Sequence, residues 1–443
     1  MKMGRSSAAG VADHLVPLAT RLLGGELALR LRGWDGSEAG PPGAPVLVVR
    51  RRRALRRLLW RPDELGLARA YVSGDLDIEG DVFEALGAIA ALTSRENGPG
   101  LVLTGADKRA LLRLGLRLRA LGPPPSPPPE EARLGGRLHS RRRDASAVSH
   151  HYDVGNDFYR LVLGPSMVYT CAYWSQPAQS QSQSQSESDS AFGYGLDDAQ
   201  RDKLDLVCRK LDLQPGMRLL DVGCGWGSLV LHAAQHYGVH AVGITVSVEQ
   251  AELARKRVVE AGLADRVEIR VQDYRDVPDG PYDAIASVGM AEQVGEEPYP
   301  TYAAAVHDLL RPGGRLLNQQ IAPRPGEVGE AGPSFIGSYV FPDGKLLTLA
   351  ATVGAFEVAG LEVRDVQAMR EHYTRTLRCW AARLEERWPE AVRLVGEGRA
   401  RVWRLYMAGA ALGFDAGRLG VNQVLAVRPH PGGRSGLPPT RTV

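Results

Sequence analysis

Residues 217–227 have the sequence MRLLDVGCGWG, in which a short apolar run leads into three alternating glycines. An apolar run followed directly by glycines is typical of a buried parallel strand and the turn after it. Glycine in that turn lets the backbone approach a ligand where a Cβ would block it. The stretch therefore predicts a strand, a binding turn and a helix, which is the start of an α/β fold.

Strand and helix patterns alternate along the chain after this turn. Further strands are predicted at 240–245, 266–272, 282–289 and 313–322, with edge strands at 361–367 and 422–427. This rhythm predicts a mostly parallel sheet with helices on both faces. In such sheets ligands bind beyond the carboxyl ends of the strands, so we expect the site there.

The spacing of the glycines separates two kinds of nucleotide-binding turn. A dinucleotide fingerprint has the form G-x-G-x-x-G, with an acidic residue about 20 positions further on. Here Asp221 precedes G-x-G-x-G, and the next strand ends at Thr245. This pattern indicates S-adenosylmethionine, with a glycine-rich structural turn as the alternative. Gln250, at the start of the next helix, is a candidate for ribose hydroxyls or else a solvated surface residue.

The composition is that of a globular protein. The 443 residues are 44% apolar and carry 54 basic and 51 acidic side chains, a net charge of +3. We expect two or three domains; the net charge is too small to predict a polyanion partner, which leaves local basic clusters as the place where one would bind. No apolar run reaches about 18 residues, and no secretory signal is evident, so a cytoplasmic protein is predicted.

Cysteine usage and motif content narrow the function classes. The four cysteines are far apart and form no C-x-x-C pair, which predicts reduced thiols and no metal site. The basic runs lack interleaved aromatic residues and any recognisable nucleic-acid motif, so no nucleic-acid partner is expected.

Two low-complexity segments suggest the domain organisation. Residues 122–144 are rich in proline and then arginine, and predict a semi-rigid linker. Residues 175–190 are a serine/glutamine repeat that buries no apolar area, and predict a disordered insertion. We therefore expect an accessory α+β domain over 1–121 and the larger domain over 145–430.

The accessory domain has an uneven charge distribution. A strand is predicted at 46–49, then helix, turn and helix over 63–92. Six arginines lie within 50–57, and the stretch 106–122 spaces Arg113 and Arg117 four apart among leucines. Such a pattern indicates a patch that faces anionic lipid, or else a solvated basic face above a core-facing leucine stripe.

Several motifs outside the turn carry a family resemblance. Residues 150–159 read HHYDVGNDFY and residues 167–174 read MVYTCAYW. Together with LDVGCGWG, VGITVSVEQ, QDYRD and SVGMAEQVG, they closely resemble the cyclopropane-fatty-acyl-phospholipid synthase family over roughly 145–427. The resemblance implies a class I methyltransferase (Rossmann-like) α/β sheet with a smaller α+β amino-terminal domain.

The resemblance also implies site residues. Cofactor contacts are expected from Tyr169, Thr170, Leu220, Asp221, Val222, Gly223, Cys224, Gly225, Trp226, Gly227, Thr245, Gln250, Tyr274 and Arg275. A bicarbonate ion is expected near the reacting carbon, held by Cys171, Glu292 and Tyr373. Gln319 stands where the family commonly has the fourth residue, a histidine. Gln293 also replaces a frequent histidine, and Ala410 replaces a second cysteine, which excludes a nucleophilic thiol there.

The implied chemistry explains these residue types. The sulfonium methyl is an electrophile, and its attack by an alkene leaves a carbocation that must be kept from water. Aromatic faces stabilise a cation by about 0.5–2 kcal/mol. Candidates, each with core packing as the alternative, are Tyr152, Phe158, Tyr159, Tyr169, Tyr173, Trp174 and Tyr373. Glu292 would act as the base or hold bicarbonate, with a helix-capping acid as the alternative.

The site of proton loss determines the product. Loss from the added methyl with ring closure gives a cyclopropane, whereas a preceding hydride shift gives a methylene-branched (10-methylene) chain. Because Gln319 does not titrate, the sequence favours the methylene product over the cyclopropane. A small-molecule N/O-methyltransferase and a non-catalytic lipid-binding protein are further alternatives.

The resemblance also suggests where the protein works and with what. The expected partners are unsaturated phospholipid acyl chains at the inner face of the membrane and, for a methylene product, a reductase. The sequence leaves the oligomeric state open, a homodimer included.

Overall fold

The computed structural model describes residues 9–23, 27–93, 104–133, 135–136, 143, 151–152, 154–176, 193–326 and 334–440. These residues belong to two compact units. The first comprises 1–132, 333–339 and 396–412, and the second comprises 133–332, 340–395 and 413–443. Residues 177–190 of the predicted insertion lie outside the described residues, as do 134, 137–142 and 144–150 around the predicted linker.

The first unit combines a small sheet with helices, as the predicted α+β character requires. Its strands are β1 (Arg30–Arg32), β2 (Glu38–Ala39), β3 (Val46–Val49) and β4 (Leu76–Glu79). The sheet order is β2-β1-β3-β4, with β1 and β3 parallel and the other pairs antiparallel. Its helices are α1 (Val11–Leu23), α2 (Arg52–Trp60), α3 (Glu64–Val72), α4 (Val82–Thr93) and α5 (Gly105–Arg117).

Part of the predicted linker belongs to this first unit. Arg69 makes two hydrogen bonds to the Glu131 carboxylate, at 2.8 and 2.5 Å. Ala132 then donates its backbone N–H to the Ser338 carbonyl over 2.8 Å. The segment up to Ala132 is therefore fastened to the unit, and the predicted domain boundaries at 121 and 145 stay a prediction.

Two expectations for this unit need correction. The predicted helix-turn-helix over 63–92 contains the strand β4, because Leu76 and Ile78 alternate into the core while the strand pairs with β3. The arginine cluster at 50–57 is partly internal: Arg53 and the buried Arg57 both bind the Asp75 carboxylate, at 2.8 and 3.1 Å. Arg57 is therefore not available to a membrane surface, whereas Arg53 keeps 44% of its side chain exposed, and the lipid-facing role of the cluster stays a prediction.

The second unit contains the predicted α/β sheet. Its strands are β5 (Arg218–Val222), β6 (His240–Thr245), β7 (Val267–Val271), β8 (Tyr282–Val288), β9 (Leu310–Pro323), β10 (Glu362–Ala368) and β11 (Leu419–Val427). The order is β10-β11-β9-β8-β5-β6-β7. The strands from β9 to β7 pair in parallel, whereas β11 is antiparallel to both β9 and β10.

The strand at 422–427 is not the edge strand that the sequence predicts. Leu419–Val427 pairs with β9 on one side and with β10 on the other, so of the two predicted edge strands only β10 is an edge. Its side chains from Val421 to Val427 are all buried, which is the pattern of an interior strand covered on both faces.

Helices cover both faces of the sheet, as predicted. They are α6 (Asn156–Leu163), α7 (Leu196–Leu211), α8 (Ser228–Tyr237), α9 (Val248–Glu260), α10 (Tyr299–Leu309), α12 (Leu349–Val358), α13 (Arg370–Glu386) and α14 (Trp388–Val395). Helices α11 (Phe335–Tyr339) and α15 (Glu397–Asp415) are the remaining described ones. Helices α7, α8 and α9 enclose one apolar core and α10 and α12 another. In the described part of the chain, no helix has the length and apolar character needed to cross a bilayer.

Candidate active site

A cavity opens at the carboxyl ends of β5, β6 and β8, where the fold predicts a ligand site. The predicted cofactor residues in its wall are Tyr169, Thr170, Asp221, Val222, Gly223, Cys224, Gly225, Trp226, Thr245, Gln250, Tyr274 and Arg275. Leu220 and Gly227 do not line it: Leu220 is fully buried within β5, and Gly227 precedes the first residue of α8.

The glycine turn leaves room for a ligand at one position in particular. Gly223 and Gly225 have φ values of +83° and +54°, in the left-handed region that favours glycine. A Cβ on Gly223 would lie 2.7 Å from Met290, whereas a Cβ on Gly225 would meet no protein atom within 4 Å. The backbone at Gly225 thus borders open space in the cavity wall, which fits a cofactor held against the turn.

Two hydrogen bonds order the segment from Thr245, the last residue of β6, to Gln250. The Thr245 hydroxyl donates to Oε1 of Gln250 over 2.8 Å, and the backbone N–H of Gln250 donates to the Ser247 hydroxyl. Gln250 is buried and lines the cavity, so it is not a solvated surface residue. The side-chain amide of Gln250 is held in the cavity wall, and this is the position that the predicted contact with ribose needs.

The turn at Tyr274–Asp276 borders the same cavity. The Arg275 guanidinium forms a two-pronged bond with Asp273, at 2.8 and 2.6 Å. Tyr274 packs edge-on against the buried Tyr302, with ring centroids 5.5 Å apart. These contacts fix Tyr274 and Arg275 beside the cavity.

Two buried ionisable groups of opposite charge lie in the cavity wall, of which the sequence analysis identified only Asp221. Burial raises the pKa of Asp221 to about 7, against the opposing field of Lys203. Burial likewise lowers the pKa of Lys203 to about 8, against the field of Asp221. Lys203 lies on the buried stripe of α7 with Ala199, Leu204 and Val207. The sequence does contain a signal for Lys203: it is a lysine on the apolar stripe of a helix, which indicates a buried charge.

Cys171 and Tyr373 lie in one packed region. The Cys171 thiol donates to the carbonyls of Ala172 and Met369, and Met369 directly precedes α13, which carries Tyr373. Burial raises the pKa of the Cys171 thiol well above its ordinary value, so the group stays protonated. Cys171 is therefore a neutral donor.

An aromatic series connects this region to the cofactor cavity. The ring of Tyr169, in the cavity wall, lies 5.3 Å from Trp380, and Trp380 lies 6.1 Å from Tyr373. Tyr373 in turn packs 4.7 Å from Phe414. Of the predicted cation-stabilising rings, Tyr152 and Tyr169 line the cavity, whereas Tyr373 is separated from Tyr169 by Trp380.

Gln319 lies on β9, and Glu292 is bonded to the same strand; like Cys171 and Tyr373, neither is among the residues that line the cofactor cavity. Oε1 of Glu292 accepts the backbone N–H of Ile321 over 2.9 Å, which is not a helix cap. Its Oε2 is shielded from solvent and makes no hydrogen bond to any described residue. Burial raises the pKa of Glu292 to about 7. Gln319 is buried and accepts a hydrogen bond from Gln423 over 2.9 Å.

The fold and the cavity together define the class of protein. A mostly parallel seven-stranded sheet with an antiparallel β11, and an Asp-x-Gly-x-Gly-x-Gly turn at the carboxyl end of β5, define a class I S-adenosylmethionine-dependent methyltransferase. No group of three or more histidine, cysteine, aspartate or glutamate residues in the described ranges is placed to hold a metal ion.

Comparison with known proteins identifies the family. The mycolic acid cyclopropane synthetase family matches residues 139–424, so the chain belongs to that family. A probable fatty acid methyltransferase of Mycobacterium tuberculosis is 39% identical over 429 residues, 94% of each chain. The tuberculostearic acid methyltransferase of the same organism is 33% identical over 436 residues, 96% of this chain and 93% of its own.

A solved structure agrees with this assignment. The mycolic acid cyclopropane synthase CmaA1 in complex with SAH and CTAB superposes with a TM-score of 0.57 and 32% identity, covering 64% of this chain and 97% of that one. The chain is thus an S-adenosylmethionine-dependent methyltransferase of the fatty acid and cyclopropane synthase type. The individual roles of Cys171, Glu292, Gln319 and Tyr373 stay predictions.

Proposed function

We propose that this enzyme methylates the double bond of an unsaturated phospholipid acyl chain and releases a methylene-branched chain. The observation that carries the proposal is the buried amide pair of Gln319 and Gln423, at the position where the family resemblance leads one to expect a histidine. The similarity to a tuberculostearic acid methyltransferase along 96% of the chain supports the same product class.

The residues around the cavity suit a reaction through a carbocation. S-adenosylmethionine supplies an electrophilic methyl group, and the Gly225 turn with Thr245, Gln250 and Asp221 would hold it. Tyr169 lines the cavity, and Trp380 and Tyr373 pack in series behind it; a ring that meets the acyl chain would help to exclude water and would stabilise a cation by about 0.5–2 kcal/mol. None of these rings is nucleophilic enough to form a carbon–carbon bond with the cation and so trap it.

Glu292 is the residue we assign to proton removal. Its Oε2 is shielded and makes no hydrogen bond to the described residues, and its pKa of about 7 suits a group that must accept a proton near neutral pH. Glu292, Tyr373, Gln319 and the protonated Cys171 thiol form the set that would hold a bicarbonate ion, which would supply a second proton acceptor.

The amide pair favours the methylene product for a kinetic reason. A carboxamide neither accepts nor releases a proton near neutral pH, so Gln319 cannot relay the proton as an imidazole would. Slower deprotonation leaves the cation time for a 1,2-hydride shift from the methylated carbon to its neighbour. Loss of a proton from the added methyl then forms the exocyclic double bond, and electrons balance without a further reactant. A reductase partner would have to add a hydride and a proton across this double bond to complete a methyl branch.

The product can be identified directly. The purified enzyme is incubated with methyl-labelled S-adenosylmethionine and vesicles of dioleoyl phosphatidylglycerol, and the acyl chains are analysed as methyl esters by gas chromatography–mass spectrometry. We expect a product heavier by one methylene unit that consumes hydrogen on catalytic reduction to a methyl branch. A dominant cyclopropane product would overturn the methylene proposal in favour of the alternative. Labelling of a soluble amine or phenol but not lipid would overturn both.

We also propose that the first unit binds an anionic membrane through α5. Leu112 and Leu116 are 52% and 61% exposed on this helix, and Trp60 is 60% exposed on α2, which packs against it. Arg109, Arg113 and Arg117 alternate with these leucines on the exposed face, while Leu114 and Leu118 pack inward. One leucine stripe of the helix therefore packs into the core and the other faces outward, and the outward stripe with its arginines is the surface that we assign to lipid.

Charge and apolar area together point to a lipid surface as the occupant of this face. Basic residues gain about 1 kcal/mol each near an anionic leaflet, and exposed leucine and tryptophan side chains gain by insertion at the boundary. This location would bring the enzyme to acyl chains that are otherwise inaccessible from water. Arg57 does not contribute, because it is buried and holds Asp75.

A further inference from the structure

Lys203 is a buried cation in the wall of the cofactor cavity. Only 2% of its surface is exposed, and its Nζ donates to Oγ1 of Thr170 over 3.1 Å. Thr170 and Asp221 line the same cavity. Burying an ammonium group is costly unless other groups compensate for its lost hydration. A position at the cavity wall with one neutral hydrogen-bond partner therefore calls for an explanation.

A second lysine on the same helix shows what a structural role looks like. Lys210 lies two turns further along α7 and is 3% exposed, but its Nζ lies 3.4 Å from the Asp365 carboxylate of β10. Lys210 is not among the residues that line the cavity. Lys203 differs in both respects: it lines the cavity and donates to the hydroxyl of Thr170, and the carboxylate whose field acts on it is that of Asp221 in the cofactor turn.

The Thr170 side chain is held on two sides. Its Oγ1 accepts a hydrogen bond from Lys203. On the other side its Cγ2 lies so close to Gly289 that a Cβ added to this glycine would be only 2.6 Å away. Gly289 also lines the cavity and follows β8. The hydroxyl and the methyl group of Thr170 thus have fixed positions, one set by Lys203 and the other by the close approach of Gly289.

Asp221 is the charged group that faces Lys203 among the described residues. The other titratable groups that interact with Lys203 are Cys171 before α7, Cys208 on α7 itself and His232 on α8. Burial raises the pKa of both thiols and lowers the pKa of His232 to about 4, so all three are neutral near pH 7. Asp221 also faces Cys208 and Cys224, two neutral thiols. The Lys203 field is therefore what opposes the protonation of Asp221.

We propose that Lys203 is a positioning residue of the cofactor site, which fixes the Thr170 hydroxyl and keeps Asp221 ionised for the amino-acid end of the cofactor. That end is a zwitterion with an ammonium and a carboxylate, and a buried site recognises it only if the site presents complementary fixed charges. Lys203 and Asp221 supply one charge of each sign in the cavity wall. The inference does not depend on the identity of the lipid product.

The proposal predicts a particular pH dependence for the binding of S-adenosylhomocysteine, the form of the cofactor that remains after methyl transfer. We would titrate S-adenosylhomocysteine into the protein by calorimetry between pH 6 and 9. In the native protein, affinity should rise as Asp221 ionises near pH 7 and begin to fall as Lys203 loses its proton near pH 8. Lys203→Met should weaken binding at pH 7 by about tenfold or more, with the rising limb moved to higher pH by about one unit.

Two controls separate positioning from folding. 5′-Methylthioadenosine has the adenosine but not the amino-acid end, so Lys203→Met should leave its affinity within about twofold of the native value. Lys210→Met removes an equally buried lysine from the same helix, and should lower the melting temperature while leaving the pH profile of S-adenosylhomocysteine binding unchanged. Equal losses for both ligands, or an unshifted pH profile in Lys203→Met, would overturn the proposal.

A conservative variant decides the case if Lys203→Met does not fold. Lys203→Arg keeps the charge to much higher pH, so it should retain affinity at pH 7 and extend the high-affinity range above pH 8. A Lys203→Arg protein whose affinity declines above pH 8 as in the native protein would contradict the assignment of that limb to Lys203, and with it the proposal.

Discussion

Gln423 donates its side-chain amide to Oε1 of Gln319 across 2.9 Å, a hydrogen bond between two buried side chains that joins β11 to β9. Their backbones are also directly opposite in the antiparallel register of these strands. Oε1 of Gln423 makes no hydrogen bond to any described residue. The pair is thus a non-titrating unit with one acceptor left over, in the region where the family resemblance predicts a titratable ring.

Replacing one member of this pair by a titratable residue should change the product. In Gln319→His we expect the ratio of cyclopropane to methylene product to rise about tenfold, which is a change of about 1.4 kcal/mol in the difference between the barriers to ring-closing deprotonation and to the hydride shift. The reason is that an imidazole relays a proton and shortens the life of the cation. The ratio is measured by gas chromatography–mass spectrometry of the acyl methyl esters.

The matched control for this change is Gln319→Asn, which keeps an amide and shortens the side chain. Its product ratio should stay close to that of the native enzyme even if its rate falls. If both variants shift the ratio equally, packing and not proton transfer controls the product.

Glu292 should dominate the pH dependence of catalysis. With a pKa of about 7, its ionised fraction rises through neutral pH, so the rate should rise between about pH 6 and 8. Glu292→Gln should lower the rate by about 100-fold or more while S-adenosylhomocysteine still binds. A fully active Glu292→Gln enzyme would end the assignment of proton removal to this residue.

The same residue should lower stability at high pH. Burial raises its pKa from 4.5 to about 7, so the folded protein binds this proton more tightly than the unfolded chain does. Stability from this group is therefore full below pH 4.5 and is lost as the pH rises through 7. Glu292→Gln should accordingly be more stable than the native protein at pH 8 by about 3 kcal/mol, with little difference at pH 4.5. Thermal denaturation at the two pH values tests the sign.

Two glycines of the binding turn should respond differently to alanine. Gly225→Ala places a methyl group in open space beside the cavity, so it should weaken S-adenosylhomocysteine binding by about tenfold or more, with a strain cost of about 1 kcal/mol from the positive φ. Gly223→Ala places a methyl group 2.7 Å from Met290, so its larger effect should be on the melting temperature. Calorimetry and thermal denaturation of both variants provide the comparison. The reverse order of effects would mean that Gly225 does not border the cofactor.

The sequence predicted what local patterns determine. The run HAVGIT at 240–245 coincides with β6, because a buried strand between a helix and a turn has a continuous apolar pattern. The glycine turn and its neighbours were likewise expected in the cavity wall, since the carboxyl ends of parallel strands meet at one edge.

Features that depend on distant residues could not be predicted in this way. Leu76–Glu79 is a strand only because β3 lies beside it, and its four residues alone resemble a turn between helices. The pairing of Gln319 with Gln423 requires the register of two strands that are about one hundred residues apart. The Arg57–Asp75 ion pair has the same origin: the sequence shows the arginines, but their partner lies in another element.

The exposed face of α5 provides the test of membrane binding. Leu112→Ser with Leu116→Ser removes the outward leucines, and Arg113→Glu with Arg117→Glu reverses the charges beside them. Each double variant should lower co-sedimentation with phosphatidylglycerol vesicles by about tenfold or more, because about 1.4 kcal/mol or more is lost in each case. The electrostatic part should also vanish in the native protein at about 1 M salt, where charges are screened within about 3 Å.

The control for this test is Val358→Ser, which removes an apolar side chain that is 89% exposed on α12 of the second unit. It should not change vesicle binding, and none of the variants should change S-adenosylhomocysteine affinity. Binding that is unaffected by either double variant, or that is as strong to pure phosphatidylcholine vesicles, would mean that another surface meets the lipid. Loss of binding with the leucine pair alone would instead assign the interaction to insertion, with the arginines of α5 as solvated neighbours.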